Sequence, residues 1–330
     1  MTEFPYNRFI LFALFFLLIG CQDPTAKPES SYEHAVEGSY AATISDDGKY
    51  SLVSSIHHGV SLWDLEKNAL KYQWSHQGAE HNITFLTAIA PDNSYAMTAD
   101  KEKFGIWNIE TGQSEGFIKI RESTIRDIAI SNQGRYLLIG KTNGKVVHVD
   151  RDTGRRIEFV GHQEKINSVA LSPNGFYALS GSNDYVAFLW DTRSGQVVYR
   201  FNHPSRVSKV AFDPKGRFAF TADSQKQARV WDLKTGESVS RLIYTSRQQI
   251  YSAIRFNKDA TLLATGSPSR KLAIWDIQTG KQIKKWFVTP RKDSRPKSAV
   301  VYSIAFSQND TKLITESSSG LVETWQIKAK

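Results

Sequence analysis

His162, Ser180 and Asp184 have the composition of a catalytic triad. A serine nucleophile also needs an open face and an oxyanion hole, and no G-x-S-x-G elbow occurs in this chain. Gly140-Lys141-Thr142 resembles a phosphate-binding loop, but Gly134 stands one residue too far upstream for G-x₄-G-K-[ST], and no helix pattern follows. His57 and His58 are adjacent and fall in a turn, while His76 and His81 fall in a loop; none has metal-ligand spacing. Cys21 is the sole cysteine, which excludes an intrachain disulfide and a cysteine-based metal cluster. No metal or cofactor is expected.

The residues around these groups repeat. Trp63, Trp107, Val149, Trp190, Trp231, Trp275 and Trp325 stand 44, 42, 41, 41, 44 and 50 residues apart. Asp follows at Asp64, Asp150, Asp191, Asp232 and Asp276, with Asn108 and Gln326 in the other two repeats. Five residues after the anchor come Gly112, Gly154, Gly195, Gly236 and Gly280. Upstream lies apolar alternation broken by a turn, as in Asn167 to Gly175 and Ser208 to Gly216. Short alternating strands between Asp/Asn/Gly turns predict an antiparallel all-β fold.

A period of 40 to 45 residues with a Trp-Asp ending resembles the WD40 family over residues 31 to 327. The resemblance implies a single seven-bladed β-propeller with four strands per blade. Each repeat ends near its third strand, and too few residues follow Trp325 for another one. The outer strand of the last blade is therefore expected from the N-terminal side, near Glu29 to Ala35, closing the ring. The resemblance also gives the apparent triad a structural meaning, a buried relay from Asp184 through His162 and Ser180 to the Trp190 indole. Only the fourth repeat has the full set: the fifth keeps His203, Thr221 and Trp231 with Gln225 at the Asp position, and the sixth has Thr265 and Trp275 with Ser269 there. Trp74 and Trp286 are read as outer-strand packing.

Phe9 to Ile19 is an apolar run too short to span a bilayer, and it fits the apolar region of a leader. Leu18-Ile19-Gly20-Cys21 resembles the lipobox of bacterial lipoproteins. That resemblance implies residues 1–20 as a signal peptide, a lipidated Cys21 followed by a polar tether to residue 30, and a propeller over 31–330. Gln22 after the cysteine favours the outer membrane, so a lipid-anchored protein of the bacterial envelope is expected.

Composition is that of a globular protein, and a formal charge of +9 points to an anionic partner. The excess gathers on one face of the expected propeller, the one formed by inter-blade loops and the turns joining strands two and three. Candidate partner-binding residues there are Arg206, Arg247, Arg270, Lys271, Arg291, Lys292, Arg295 and Lys297, densest in the insertion Thr289 to Ser298. The expected function is a non-catalytic, monomeric interaction scaffold for a protein with an acidic surface, or for an anionic envelope polymer, and not for nucleic acid. The alternatives are an envelope-assembly accessory and an enzyme working in the central channel. The second is disfavoured because the expected inner strands hold no His and one carboxylate, Asp127.

Overall fold

The computed structural model describes residues 26–55, 57–75, 83–225, 227–244, 249–307 and 309–327. Seven four-stranded antiparallel sheets form a closed ring. Blades 1 to 6 cover residues 39–74, 86–119, 125–159, 166–202, 207–241 and 253–287. Blade 7 joins Val301–Ser307, Lys312–Ser317 and Leu321–Gln326 to the N-terminal strand Ser30–Glu33. Ser30 pairs with Thr324 and Glu33 with Leu321, so the expected closure is present. Among the described residues no helix is long and apolar enough to cross a membrane.

Burial follows position within a blade. The second strand Tyr177–Ser182 is buried at five of six positions, because blades pack on both of its faces. The outer strand Val197–Asn202 buries only Phe201. That residue stacks on Trp231 of the next blade at 4.3 Å. Phe159 stacks likewise on Trp190 at 4.7 Å, and Trp74 on Trp107 at 4.8 Å. Trp286 meets Trp325 at 6.3 Å. The outer-strand aromatics are thus the packing pieces expected, each contributing about 0.5–1.5 kcal/mol beyond its buried area.

The Trp-Asp ending with its distant glycine is a turn signature. Asp191 Oδ1 accepts the N–H of Arg193 at 2.7 Å, and Gly195 closes the loop onto the Asp191 carbonyl at 2.8 Å. Gly195 has φ +76°, a conformation that costs little only without a Cβ. Asn108 performs the same capping in blade 2, which is why Asn is tolerated there. Along the axis, side chains clasp neighbouring inner strands. Asp127 accepts from Val169 N at 2.8 Å, Ser168 from Val210 N at 3.3 Å, and Ser303 from Ile44 N at 2.9 Å.

Loops from an outer strand to the next inner strand share the upper face with the turns between strands two and three. The remaining turns form the lower face.

Candidate functional site

In blade 4, His162 Nδ1 faces Asp184 Oδ2 and Nε2 faces Ser180 Oγ, each at 2.9 Å. With Asp184 ionised, Nδ1 carries the proton and Nε2 accepts from the Ser180 hydroxyl. Burial raises the Asp184 carboxyl, but bonds from His162 and from the N–H groups of Gln163 and Val186 outweigh it and hold the group below its usual range. His162 and Ser180 are buried. The expected last link is not made: among the described residues the Trp190 indole N–H has no hydrogen-bond partner. Ser180 lacks the β-methyl that restricts a threonine hydroxyl, and Phe159 holds the indole flat against its own ring, 3° from parallel.

Threonine completes that link elsewhere. Trp231 donates to Thr221 at 2.7 Å, Trp275 to Thr265 at 2.8 Å, Trp107 to Thr98 at 2.8 Å and Trp325 to Thr315 at 3.0 Å. Blade 5 has Gln225 in the turn, as expected, and places an acid near its histidine from another position. His203 bonds Thr221 at 2.8 Å, and Asp223, two residues before Gln225, brings its carboxylate to 3.6 Å from His203 Nδ1. The acid comes from the strand end rather than the turn, and no fixed spacing to Trp231 announced it.

The joint between blades 7 and 1 holds a polar cluster with no counterpart in the sequence reading. Glu316 is fully buried; its Oε1 meets His34 Nδ1 at 2.5 Å and accepts from Ser51 at 2.7 Å. Register places Glu316 opposite Ser303, as Gly140 lies opposite Asp127 and Gly181 opposite Ser168. Those glycines leave room for the next blade: a Cβ on Gly181 would meet Val207 at 2.5 Å. Blade 1 offers Ser39 where blade 5 offers Val207, so this joint has space for a carboxylate. His34, arriving on the closing strand, stacks on Trp63 at 4.3 Å in the place that outer-strand aromatics take elsewhere. Behind it Glu323 accepts the hydroxyl of Thr289 at 2.6 Å, and burial keeps its carboxyl above the usual range despite that bond.

The central channel has a cavity of about 240 Å³ lined by Thr43, Thr87, Asp127, Lys209 and Arg255 among others. Its polar groups are largely spent on neighbouring blades. Arg255 reaches Ile304 O at 3.0 Å, Ile44 O at 3.2 Å and the Asp46 carboxylate, tying blades 6, 7 and 1. Asp127 Oδ1 faces Ile128 N at 3.1 Å while Oδ2 holds Val169 N.

On the upper face the insertion is a closed loop. Arg291 N bonds Ser298 O at 2.9 Å, and Ser294 Oγ donates to Arg291 O at 2.8 Å. Arg291, Lys292, Arg295 and Lys297 are all exposed on it, and Arg206 is exposed on blade 5. Beside the insertion, Glu37 is held below the usual carboxylate range, first by the hydrogen bond with His57 and to a smaller degree by Arg291. Other cations near this face differ. Arg270 donates to Val288 O at 2.8 Å. Burial, and then Lys285, lowers the Lys271 ammonium below its ordinary value. Lys141 is 1% exposed, so it adds nothing to the upper surface. Arg247 and Cys21 lie outside the described residues. Sequence reading missed the apolar part of this face: Phe85, 41% exposed, meets Tyr40 edge-on at 5.9 Å with Lys101 over its ring.

The molecule is a seven-bladed β-propeller in which His34, His162 and His203 are buried and hydrogen-bonded. The WD40 family description, "WD domain, G-beta repeat", matches residues 155–191 and 195–232. Each match runs from the outer strand of one blade through the third strand of the next, in the region of the two relays. The chain is also similar to a WD repeat-containing protein, SL1-17, of Schistosoma mansoni, with 28% identity over 127 residues. That alignment covers 38% of this chain and 41% of the relative. These matches support a propeller of the WD40 kind, a class that typically serves as a protein-interaction scaffold.

Proposed function

We propose that this protein is a non-catalytic scaffold, tethered by lipid on Cys21 to a bacterial envelope membrane, that docks an acidic protein on its upper face over blades 5 to 7. The observation that carries the reading is the closed loop of Arg291 to Ser298, which holds four exposed cations over a rigid ring. Loop-borne charge on a rigid scaffold steers and selects partners. Against a hydrolase stands the burial of His162 and Ser180, whose hydrogen-bonding atoms face each other inside a blade. Against channel chemistry stands the engagement of Asp127 and Arg255 with neighbouring blades.

The test is affinity capture from solubilised envelopes. The full chain is compared with a variant carrying Arg291→Glu, Lys292→Glu, Arg295→Glu and Lys297→Glu. A partner retained by the native chain, released by salt and lost by the variant supports the reading. Identical capture by both contradicts it.

A further inference from the structure

The lower face shows where the tether leaves the ring. Glu29 N bonds Thr324 O at 2.7 Å, and the Glu29 carboxylate meets Lys312 Nζ at 2.9 Å and Gln326 Nε2 at 2.8 Å. Lys312 begins the second strand of blade 7 and Gln326 ends the third, so both lie at the lower turns. The closing strand then climbs to the upper face, where His34 N and Ala35 N bond Gly320 O. The insertion loop with its four cations sits at that opposite end.

Seven residues, 22 to 28, separate Cys21 from Glu29. Fully stretched they reach roughly 24 Å, and as a relaxed coil about 15 Å. A six-residue strand rises about 20 Å, so the tether would be almost fully drawn out before the upper face could touch the same bilayer. With the lower face down, no extension is required.

We propose that the propeller stands on its membrane with the lower face towards the bilayer, so that the basic upper face opens to the aqueous compartment and takes a soluble partner with an acidic surface. This rests on the lipid-tether reading of Cys21. Charge complementarity selects the partner, and the anchoring bilayer could occupy the basic loops only with the tether drawn almost to its full length.

Cys21 is the sole native thiol, and lipid would consume it, which leaves an introduced cysteine uniquely labelled. The full-length protein is purified with its lipid and reconstituted in vesicles carrying an acceptor dye. Donor labels are placed on Gln278→Cys, in the lower turn between Lys271–Asp276 and Gln282–Phe287, or on Asn143→Cys, in the upper turn between Tyr136–Lys141 and Val146–Asp150. The lower label is expected nearer the bilayer by about 20 Å. Poly-glutamate is expected to bind the vesicle-anchored and detergent-solubilised forms equally.

Mass analysis of Cys21 separates the two ideas. An unlipidated Cys21 overturns both the tether and the orientation. A lipidated chain with the label order reversed, or with poly-glutamate binding reduced tenfold on vesicles, overturns the orientation alone.

Discussion

Replacing His34 with alanine isolates the polar joint that closes the ring. In the native chain Glu316 has two donors, His34 at 2.5 Å and Ser51 at 2.7 Å, inside a site where the side chains of both His34 and Glu316 are fully buried. His34→Ala leaves a buried carboxylate with one donor, a loss that costs about 3–5 kcal/mol. Losing the stacking on Trp63 adds about 1 kcal/mol. A domain stable by about 5–15 kcal/mol would lose at least about a quarter of its stability. The surface pair His57–Glu37 has a similar separation, 2.7 Å, but its side chains are 51% and 66% exposed. His57→Ala should therefore leave the unfolding midpoint close to that of the native chain. Urea unfolding followed by tryptophan fluorescence reads both variants. Glu316→Ala in the His34→Ala background should restore part of the loss, because no buried charge then remains. Equal costs for the two histidines, or a second substitution that simply adds to the first, would refute this reasoning.

Deleting residues 22–27 should leave the melting curve unchanged, whereas deleting 29–38 removes the closing strand and should abolish the native transition; coincident curves would contradict the topology. His162→Ala strands Asp184 and Ser180 and should cost about 1–3 kcal/mol by urea unfolding, as should His203→Ala in blade 5. His148 gives a pH test, since burial lowers its imidazole to about 4. Below pH 6.5 the unfolded chain takes up a proton that the native ring refuses until about pH 4. Stability should therefore fall as pH drops through that window, by at most about 3 kcal/mol and by less in proportion to the water reaching the ring. His148→Phe should flatten this part of a stability-against-pH curve, and an unchanged slope would contradict the assignment.

Blade number, strand order and the closing strand were legible because they rest on local rules. Trp-Asp-x₃-Gly is a capped turn, and alternation sets which face of a strand is buried. The relay members His162, Ser180 and Asp184 were legible for the same reason. What the sequence hid depends on contacts far apart in the chain. Glu316 lies 282 residues from His34, and only closure of the ring brings them together. Asp223 replaces an acid expected two residues later, because its carboxylate reaches His203 from a strand end. Arg270 counts as free surface charge in a linear reading, whereas in the fold it is half-buried and its Nε–H is committed to the Val288 carbonyl.

The most direct test of the docking account is the paired capture from solubilised envelopes, native chain against the fourfold reversal at Arg291, Lys292, Arg295 and Lys297. The account predicts an acidic protein that the native chain holds at low salt, releases as salt rises, and loses on reversal. A partner held equally by both chains would place the working surface away from the basic loops and contradict the account.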